Sequence, residues 1–294
     1  MDLRKVEPEL IAIEEFQVRG VTGSVKKVQI GSRTVDFWHP KIPIGNLIVA
    51  FDGQNMLDKR NIGINPHQRA TWRLAESAIK IANKNHVAAP TIICVYHTAY
   101  NVDNLGRLKE YTPKKYMNKS ENWMNESHGL YSGNVESFID EINSDELISE
   151  IVESIVPAIT SRIGQDIPTE NNAILGASMG GLAAIYSSIL KPDFFRTTLS
   201  FSPHWVIGGN ALAEKMMSDF PAPAKHKLWM SRGTKGLDSL YEQSQDLADK
   251  IIKTRGYVEQ KNLISRVLKR GAHSNASWAR YLPAALDFWL KKGK

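Results

Sequence analysis

From about residue 45 onward, short runs rich in β-branched and apolar residues alternate with stretches of helical periodicity. This alternation constrains the fold more than any other feature, because strands separated by helices pair in parallel and need cover on both faces of the sheet. The runs are LIVAF (47–51), TIICVY (91–96), AILGAS (173–178), TTLSF (197–201), KLWMS (227–231) and LISRVL (263–268). Helical spacing of Trp72, Ala75, Ile79 and Ala82 predicts a helix over 68–85. A second helical stretch spans 135–162, with a break at Asn143-Ser144-Asp145 that offers an N-cap. A third, 278–290, closes the chain. The start differs: QVRGVTGSVKKVQIG and RTVDFWHP, within 17–40, read as consecutive strands with Gly-containing turns, an antiparallel entry. The expectation is a single α/β domain over 1–294, mostly parallel, with helices on both faces.

Residues 97–135 are polar and aromatic, with Tyr100, Tyr111, Tyr116, Trp123 and Tyr131 and little periodicity. Such a stretch is expected to be an irregular loop bordering the functional site.

Composition narrows the function classes. Hydrophobic residues make up 42% and charged residues 23%, the balance of a soluble globular chain. The N-terminus, MDLRKVEPELIAIEEF, carries early acids and no continuous apolar run, so it does not read as a secretory signal. No window approaches a membrane span, and the expected location is the cytoplasm. The net charge is +6, but Lys and Arg are interleaved with acids, so no nucleic-acid partner is expected. Cys94, alone in TIICVY, reads as a buried, inert thiol. No H-E-x-x-H and no Walker loop occur, and His67, His86, His97 and His128 lack tight ligand spacing. No metal and no cofactor are expected; a small-molecule partner is, and a homo-oligomer is compatible.

The chemistry centres on Gly176-Ala177-Ser178-Met179-Gly180, a G-x-S-x-G match. It follows the strand AIL and opens the small-residue helix Gly181-Leu182-Ala183-Ala184. Strand, turn and helix are the setting of a nucleophile elbow. Glycines let strand and helix approach closely, which lifts the Ser178 hydroxyl above the sheet. The same turn puts the Met179 N–H at a helix N-terminus, facing a developing oxyanion.

A serine needs a base, and in this architecture the order is Ser, acid, His. His273, in Gly271-Ala272-His273-Ser274 between the last strand and the closing helix, is the candidate base. His204 follows an earlier strand and is expected to line a pocket; His226 precedes a strand, on the wrong side of the sheet. The acid should follow KLWMS, where Asp238 comes first and Glu242 is the alternative. A Ser–His dyad without an acid also remains open. The second oxyanion donor is expected from Phe51-Asp52-Gly53-Gln54-Asn55, through the Gln54 N–H.

Together these residues resemble the putative-esterase branch of the α/β hydrolases, which includes esterase D, enterochelin and related siderophore esterases, and feruloyl esterases. The matching pieces are Asp52-Gly53-Gln54-Asn55; Arg107 with Glu110-Tyr111-Thr112-Pro113; Gly133 to Ile142, ending in Phe138-Ile139-Asp140-Glu141; Gly176 to Gly181; Ser200-Phe201-Ser202-Pro203 with Trp205; Gly233-Thr234; and Gly271-Ala272-His273 followed by Trp278. The resemblance implies a nucleophile at Ser178, a base at His273 and oxyanion donors at Gln54 and Met179. It also implies that Arg107 and Trp205 border the substrate. The chain departs from the pattern at Lys235-Gly236-Leu237, where such proteins often carry a carboxylate, and around Asn143 to Ser149, which looks like an insertion.

Arg107, Asn55, His204 and Trp205 suggest a polar pocket, in which Arg107 could meet an anion and Trp205 could stack on a ring. The expected activity is carboxylic ester hydrolysis by a serine esterase. Acyl transfer to a sugar or other alcohol would use the same residues, and a non-catalytic binding protein on the same fold is the third reading.

Overall fold

The computed structural model describes residues 9–41, 45–61, 70–98, 105–117, 135–164 and 167–291. Nine strands form one sheet: β1 (Leu10–Phe16), β2 (Val25–Ile30), β3 (Arg33–Trp38), β4 (Leu47–Ala50), β5 (Thr91–Val95), β6 (Ala173–Ala177), β7 (Thr197–Phe201), β8 (Lys227–Lys235) and β9 (Leu263–Ala272). Their spatial order is β1-β2-β3-β5-β4-β6-β7-β8-β9. β1, β2, β3 and β5 pair antiparallel; from β5 through β4 to β9 every pair is parallel. The mixed α/β class expected from the alternation is the one found.

The helices are α1 (Leu74–Lys84), α2 (Leu105–Tyr111), α3 (Val135–Asp140), α4 (Ser144–Glu150), α5 (Val156–Arg162), α6 (Met179–Leu190), α7 (Gly209–Asp219), α8 (Glu242–Thr254) and α9 (Asn275–Leu290). β4, β5, β6 and β7 are buried at every position, which is why they read as continuous apolar runs. Two core clusters flank the sheet. One gathers α3 to α7 around Phe138, Ile155, Leu182 and Met216. The other packs α1 and α9 through Ala78, Ala82, Leu282 and Leu286.

Four elements depart from expectation, each for a physical reason. The first strand is Leu10–Phe16, upstream of the expected segment, while Gly20 and Gly23 turn the chain at φ 79°. β1 is an edge strand exposed at five successive residues, so it has no buried face to impose alternation. Its register instead pairs Glu14 with Lys27 and Glu15 with Lys26. The helix expected over 68–85 starts at Leu74, because Arg73 sits at φ 53°; residues 68–69 lie outside the described residues. The stretch 135–162 breaks at Asn143 as expected, then passes through a π-helical turn at Ile151–Ile155. Pro157 follows that turn and has no N–H for the α-helical ladder, so the wider turn absorbs the missing bond. Within 97–135, the part that is described holds helix α2 and a turn at Lys114–Tyr116. Tyr100, Trp123 and Tyr131 lie outside the described residues.

α2 is fixed by charge as well as packing. Arg33, 5% exposed, donates from Nη1 to Glu110 (3.1 Å) and from Nε to Glu150 (2.9 Å). A buried cation with two carboxylates and the Tyr96 carbonyl around it is compensated, so β3, α2 and α4 are held in register. Among the described residues no helix is long and apolar enough to cross a membrane.

Candidate active site

The site is built at the C-terminal ends of the parallel strands. β6 ends at Ala177, and Ser178 stands at φ 58°, ψ −127° before α6 begins. That backbone region strains a residue with a side chain, typically by about 1–3 kcal/mol, and persists only where surrounding bonds fix it. Here they do. The Ser178 N–H donates to Phe201 O at 2.9 Å, and its carbonyl accepts from Gly181, Leu182 and His204 N–H groups. Gly176 makes the turn possible: a Cβ there would stand 2.0 Å from Gly180 O.

β8 and β9 run past the expected ends of their segments, to Lys235 and Ala272. A register shift between Gly233 and Lys235 bends the pair where it leaves the sheet. This extension delivers Asp238 and His273 to the elbow. A Cβ on Gly233 would lie 2.3 Å from Gly271 O and 2.5 Å from Asp238 Oδ2, so glycine is required where the strands and the carboxylate converge.

The three side chains form one run. His273 Nε2 lies 2.9 Å from Ser178 Oγ, and His273 Nδ1 lies 2.6 Å from Asp238 Oδ1. Asp238 is 1% exposed, and its Oδ2 accepts from the Gly233 N–H (2.6 Å) and the Ser202 hydroxyl (2.8 Å). A buried carboxylate with this many donors is solvated by the protein itself. The Trp278 indole donates to Ser202 Oγ at 2.9 Å and stands edge-on to the His273 ring at 4.8 Å. Glu242, the alternative acid, is instead paired with Arg232 at 2.7 Å, its side chain 65% exposed.

Gln54 is the middle residue of a one-turn 3₁₀ helix, Gly53–Asn55, directly after β4. Met179 is the first residue of α6. Both N–H groups belong to helix starts, which leave donors without intrahelical partners. Arg107 holds the first of these turns: its Nε and Nη2 each donate to Asp52 at 2.7 Å, and Nη2 also approaches Ala177 O at 3.4 Å. The Asp52 N–H donates to Tyr111 Oη at 3.0 Å. Burial pushes the Asp52 carboxyl up, but Arg107 outweighs it and holds the group below its usual range. Arg107 does line the cleft beside Ser178, yet its charge is met by Asp52 rather than left for a substrate anion.

Asn55 also lines that cleft, with Trp72, Asn275 and Trp278. Its Oδ1 is buried with no hydrogen-bond partner, an acceptor facing no donor of the described chain. Trp205, expected at the substrate, is fully buried and donates to Gln245 Oε1 at 3.0 Å. Its neighbours in the Ser-Pro segment fold it inward because Trp205 opens a 3₁₀ turn packed into the core. His204 is buried too, with Nδ1 2.6 Å from Tyr241 Oη, and burial pushes its pKa down to about 3. His226 sits at the far end of β8, bonded near Pro192 O and Ala222 O. Sequence reasoning missed Ser202 and the Gly233 N–H, the two donors on Asp238 Oδ2. Ser202 lay in the Ser200-Phe201-Ser202-Pro203 run, whereas a backbone N–H such as that of Gly233 leaves no mark in the sequence. A larger cavity, about 720 Å³, lies across the opposite ends of the strands near Asn46, Thr197 and Lys227, away from Ser178 and His273.

A sheet of this order, with a strained serine at a strand–helix turn near its middle and a histidine after the last strand, defines an α/β hydrolase. Solved structures agree on the fold. The BES protein from Bacillus cereus matches at 16% identity with a TM-score of 0.59, covering 98% of each chain. The enterobactin and salmochelin hydrolase IroE matches at 19% and 0.54, covering 96% of each. The enterobactin esterase FES from Shigella flexneri matches at 14% and 0.56, with 97% of this chain aligned to 60% of that longer one. No curated protein matches the chain in sequence. The family described as Putative esterase matches residues 140–288, half of the chain, and the chain belongs to that family: it is an esterase.

Proposed function

We propose that the protein hydrolyses a carboxylic ester through an acyl-enzyme on Ser178. The observation that carries this reading is the unbroken run from Ser178 Oγ to His273 Nε2 (2.9 Å) and from Nδ1 to Asp238 Oδ1 (2.6 Å). Asp238 accepts a hydrogen bond from the Nδ1–H and so leaves Nε2 as the acceptor. His273 takes the Ser178 proton as Oγ attacks the carbonyl carbon, and returns it to the departing alkoxide. Water then repeats the sequence in reverse roles and frees the acid. The Gln54 and Met179 N–H groups receive the oxyanion, and Arg107 holds the Gln54 turn against the elbow through Asp52 and Ala177.

The test is labelling by a fluorescent fluorophosphonate beside turnover of short p-nitrophenyl esters. Wild type should label and turn over, and Ser178→Ala and His273→Ala should do neither. Wild-type turnover in folded Ser178→Ala would refute the reading.

A further inference from the structure

Ser202 is fully buried and stands at φ 44°, a left-handed conformation uncommon for a residue with a side chain. It directly follows β7, and its neighbours are tied to the elbow. The Phe201 carbonyl accepts from the Ser178 N–H at 2.9 Å, and the His204 N–H donates to Ser178 O at 3.2 Å. The Ser202 N–H donates to Ser231 O, at the level of β8, at 2.6 Å. A strained backbone fixed from several sides points to a side chain that has to be aimed.

The Ser202 hydroxyl lies between two groups whose roles are set by their chemistry. The Trp278 indole N–H, 2.9 Å away, can only donate. The Asp238 carboxylate oxygen Oδ2, 2.8 Å away, can only accept. Ser202 Oγ therefore accepts from Trp278 and sends its single proton to Asp238. The Trp278 ring also stands edge-on to the His273 ring, 4.8 Å between centroids and 83° between planes. Trp278, Ser202, Asp238 and His273 thus close a ring: two hydrogen bonds run from the indole to the acid, a third joins acid and base at 2.6 Å, and the indole packs back on the base.

We infer that Ser202 and Trp278 are positioning residues for the reaction, Trp278 setting the Ser202 hydroxyl and Ser202 setting the Asp238 carboxylate. This rests on Ser178, His273 and Asp238 acting as a triad. A carboxylate turns readily about its Cβ–Cγ bond. Two donors on Oδ2, the Ser202 hydroxyl and the Gly233 N–H, fix that torsion and leave Oδ1 to His273 Nδ1 alone. When His273 takes the Ser178 proton it becomes a cation, and a carboxylate already aimed stabilises it without reorganising. Neither Ser202 nor Trp278 moves a proton.

The experiment is a double-mutant cycle between Ser202→Ala and Asp238→Ala, read as kcat and KM on p-nitrophenyl acetate, with folding of each variant checked by urea unfolding. With Asp238 present, Ser202→Ala should lower kcat by about 10-fold, the loss of one hydrogen bond to a charged group, and leave KM little changed, since Ser202 is buried behind the acid. In the Asp238→Ala background the same substitution should cost less than about 2-fold, because the group it positions is gone. A role in stability alone would lower the urea midpoint and leave kcat untouched. Should Ser202→Ala not fold, Trp278→Phe carries the same test: it keeps an aromatic ring beside His273 and removes the indole N–H, and should lower kcat by about 3-fold with Asp238 present and not without it. Wild-type kcat in folded Ser202→Ala or Trp278→Phe, or an undiminished loss in the Asp238→Ala background, would overturn the inference. Ser178→Ala separates the two claims: an active Ser178→Ala refutes the nucleophile itself, whereas an inactive one beside an unaffected Ser202→Ala refutes only the positioning.

Discussion

Replacing Asp238 with Asn tests the proposed acid with almost no change of shape. Asp238 Oδ2 accepts from two donors, the Gly233 N–H and the Ser202 hydroxyl, while Oδ1 meets only His273 Nδ1. An asparagine satisfies more bonds with its carbonyl on the Oδ2 side and its NH₂ facing His273. The imidazole must then accept at Nδ1 and carry its hydrogen on Nε2, the atom that should take the Ser178 proton. A wrong tautomer in a triad costs about 10⁴ in kcat, or roughly 5 kcal/mol of barrier. Asp238→Ala behaves differently. It strands the Gly233 N–H and Ser202 hydroxyl in a buried place, costing about 1–3 kcal/mol of stability for each group left unpaired. It leaves His273 free to adopt either tautomer, so its kcat should exceed that of Asp238→Asn. Activity and stability therefore rank the two variants oppositely. The assay is p-nitrophenyl acetate turnover at pH 8 beside urea unfolding. Asp238→Asn within 10-fold of wild-type kcat would refute the tautomer argument and leave His273 acting as half of a dyad.

Three further outcomes follow from the geometry. Gly176→Ala places a Cβ 2.0 Å from Gly180 O, so it should lower Tm by several degrees and abolish labelling, the backbone being unable to yield cheaply; an active, stable variant would refute the elbow packing. Arg107→Gln leaves Asp52 buried without its cation, at a cost of about 3–5 kcal/mol near pH 7. Because Arg107 holds the Asp52 pKa below its unfolded value, the pair's stabilisation is present above about pH 4 and fades as pH falls through the folded value, so the deficit measured by urea unfolding should shrink toward pH 3. Asp36 is the opposite case: burial raises its carboxyl from 3.8 to about 7, against the Tyr96 hydrogen bond and Lys27. The folded state holds that proton after the unfolded state has lost it, so stability declines between about pH 4 and 7. Asp36→Asn should then raise stability at pH 8 by on the order of 4 kcal/mol at most and change little at pH 3.5, and an equal effect at both pH values would refute the assignment.

The sequence by itself determined the class of fold and the turn at which the proposed chemistry starts. Runs such as AILGA and TTLSF are buried on both sides, so they could only be central strands of a covered sheet. Ser178 was legible because a glycine-flanked serine between strand and helix is a local pattern. Local patterns ended there. β1 was missed because an edge strand with exposed residues has no buried face to mark its period. Arg107 and Trp205 could be named from resemblance, but whether each faces substrate depended on Asp52 and Gln245, far away in the chain. Asp238 and Glu242 are four residues apart and chemically alike, and nothing near them distinguishes the two. The choice falls to tertiary structure: the register shift between β8 and β9 turns one carboxylate inward to His273, while the other is largely exposed and pairs with Arg232. Contacts between residues distant in sequence are set by how strands extend and bend after they pair, and no spacing along the chain records that.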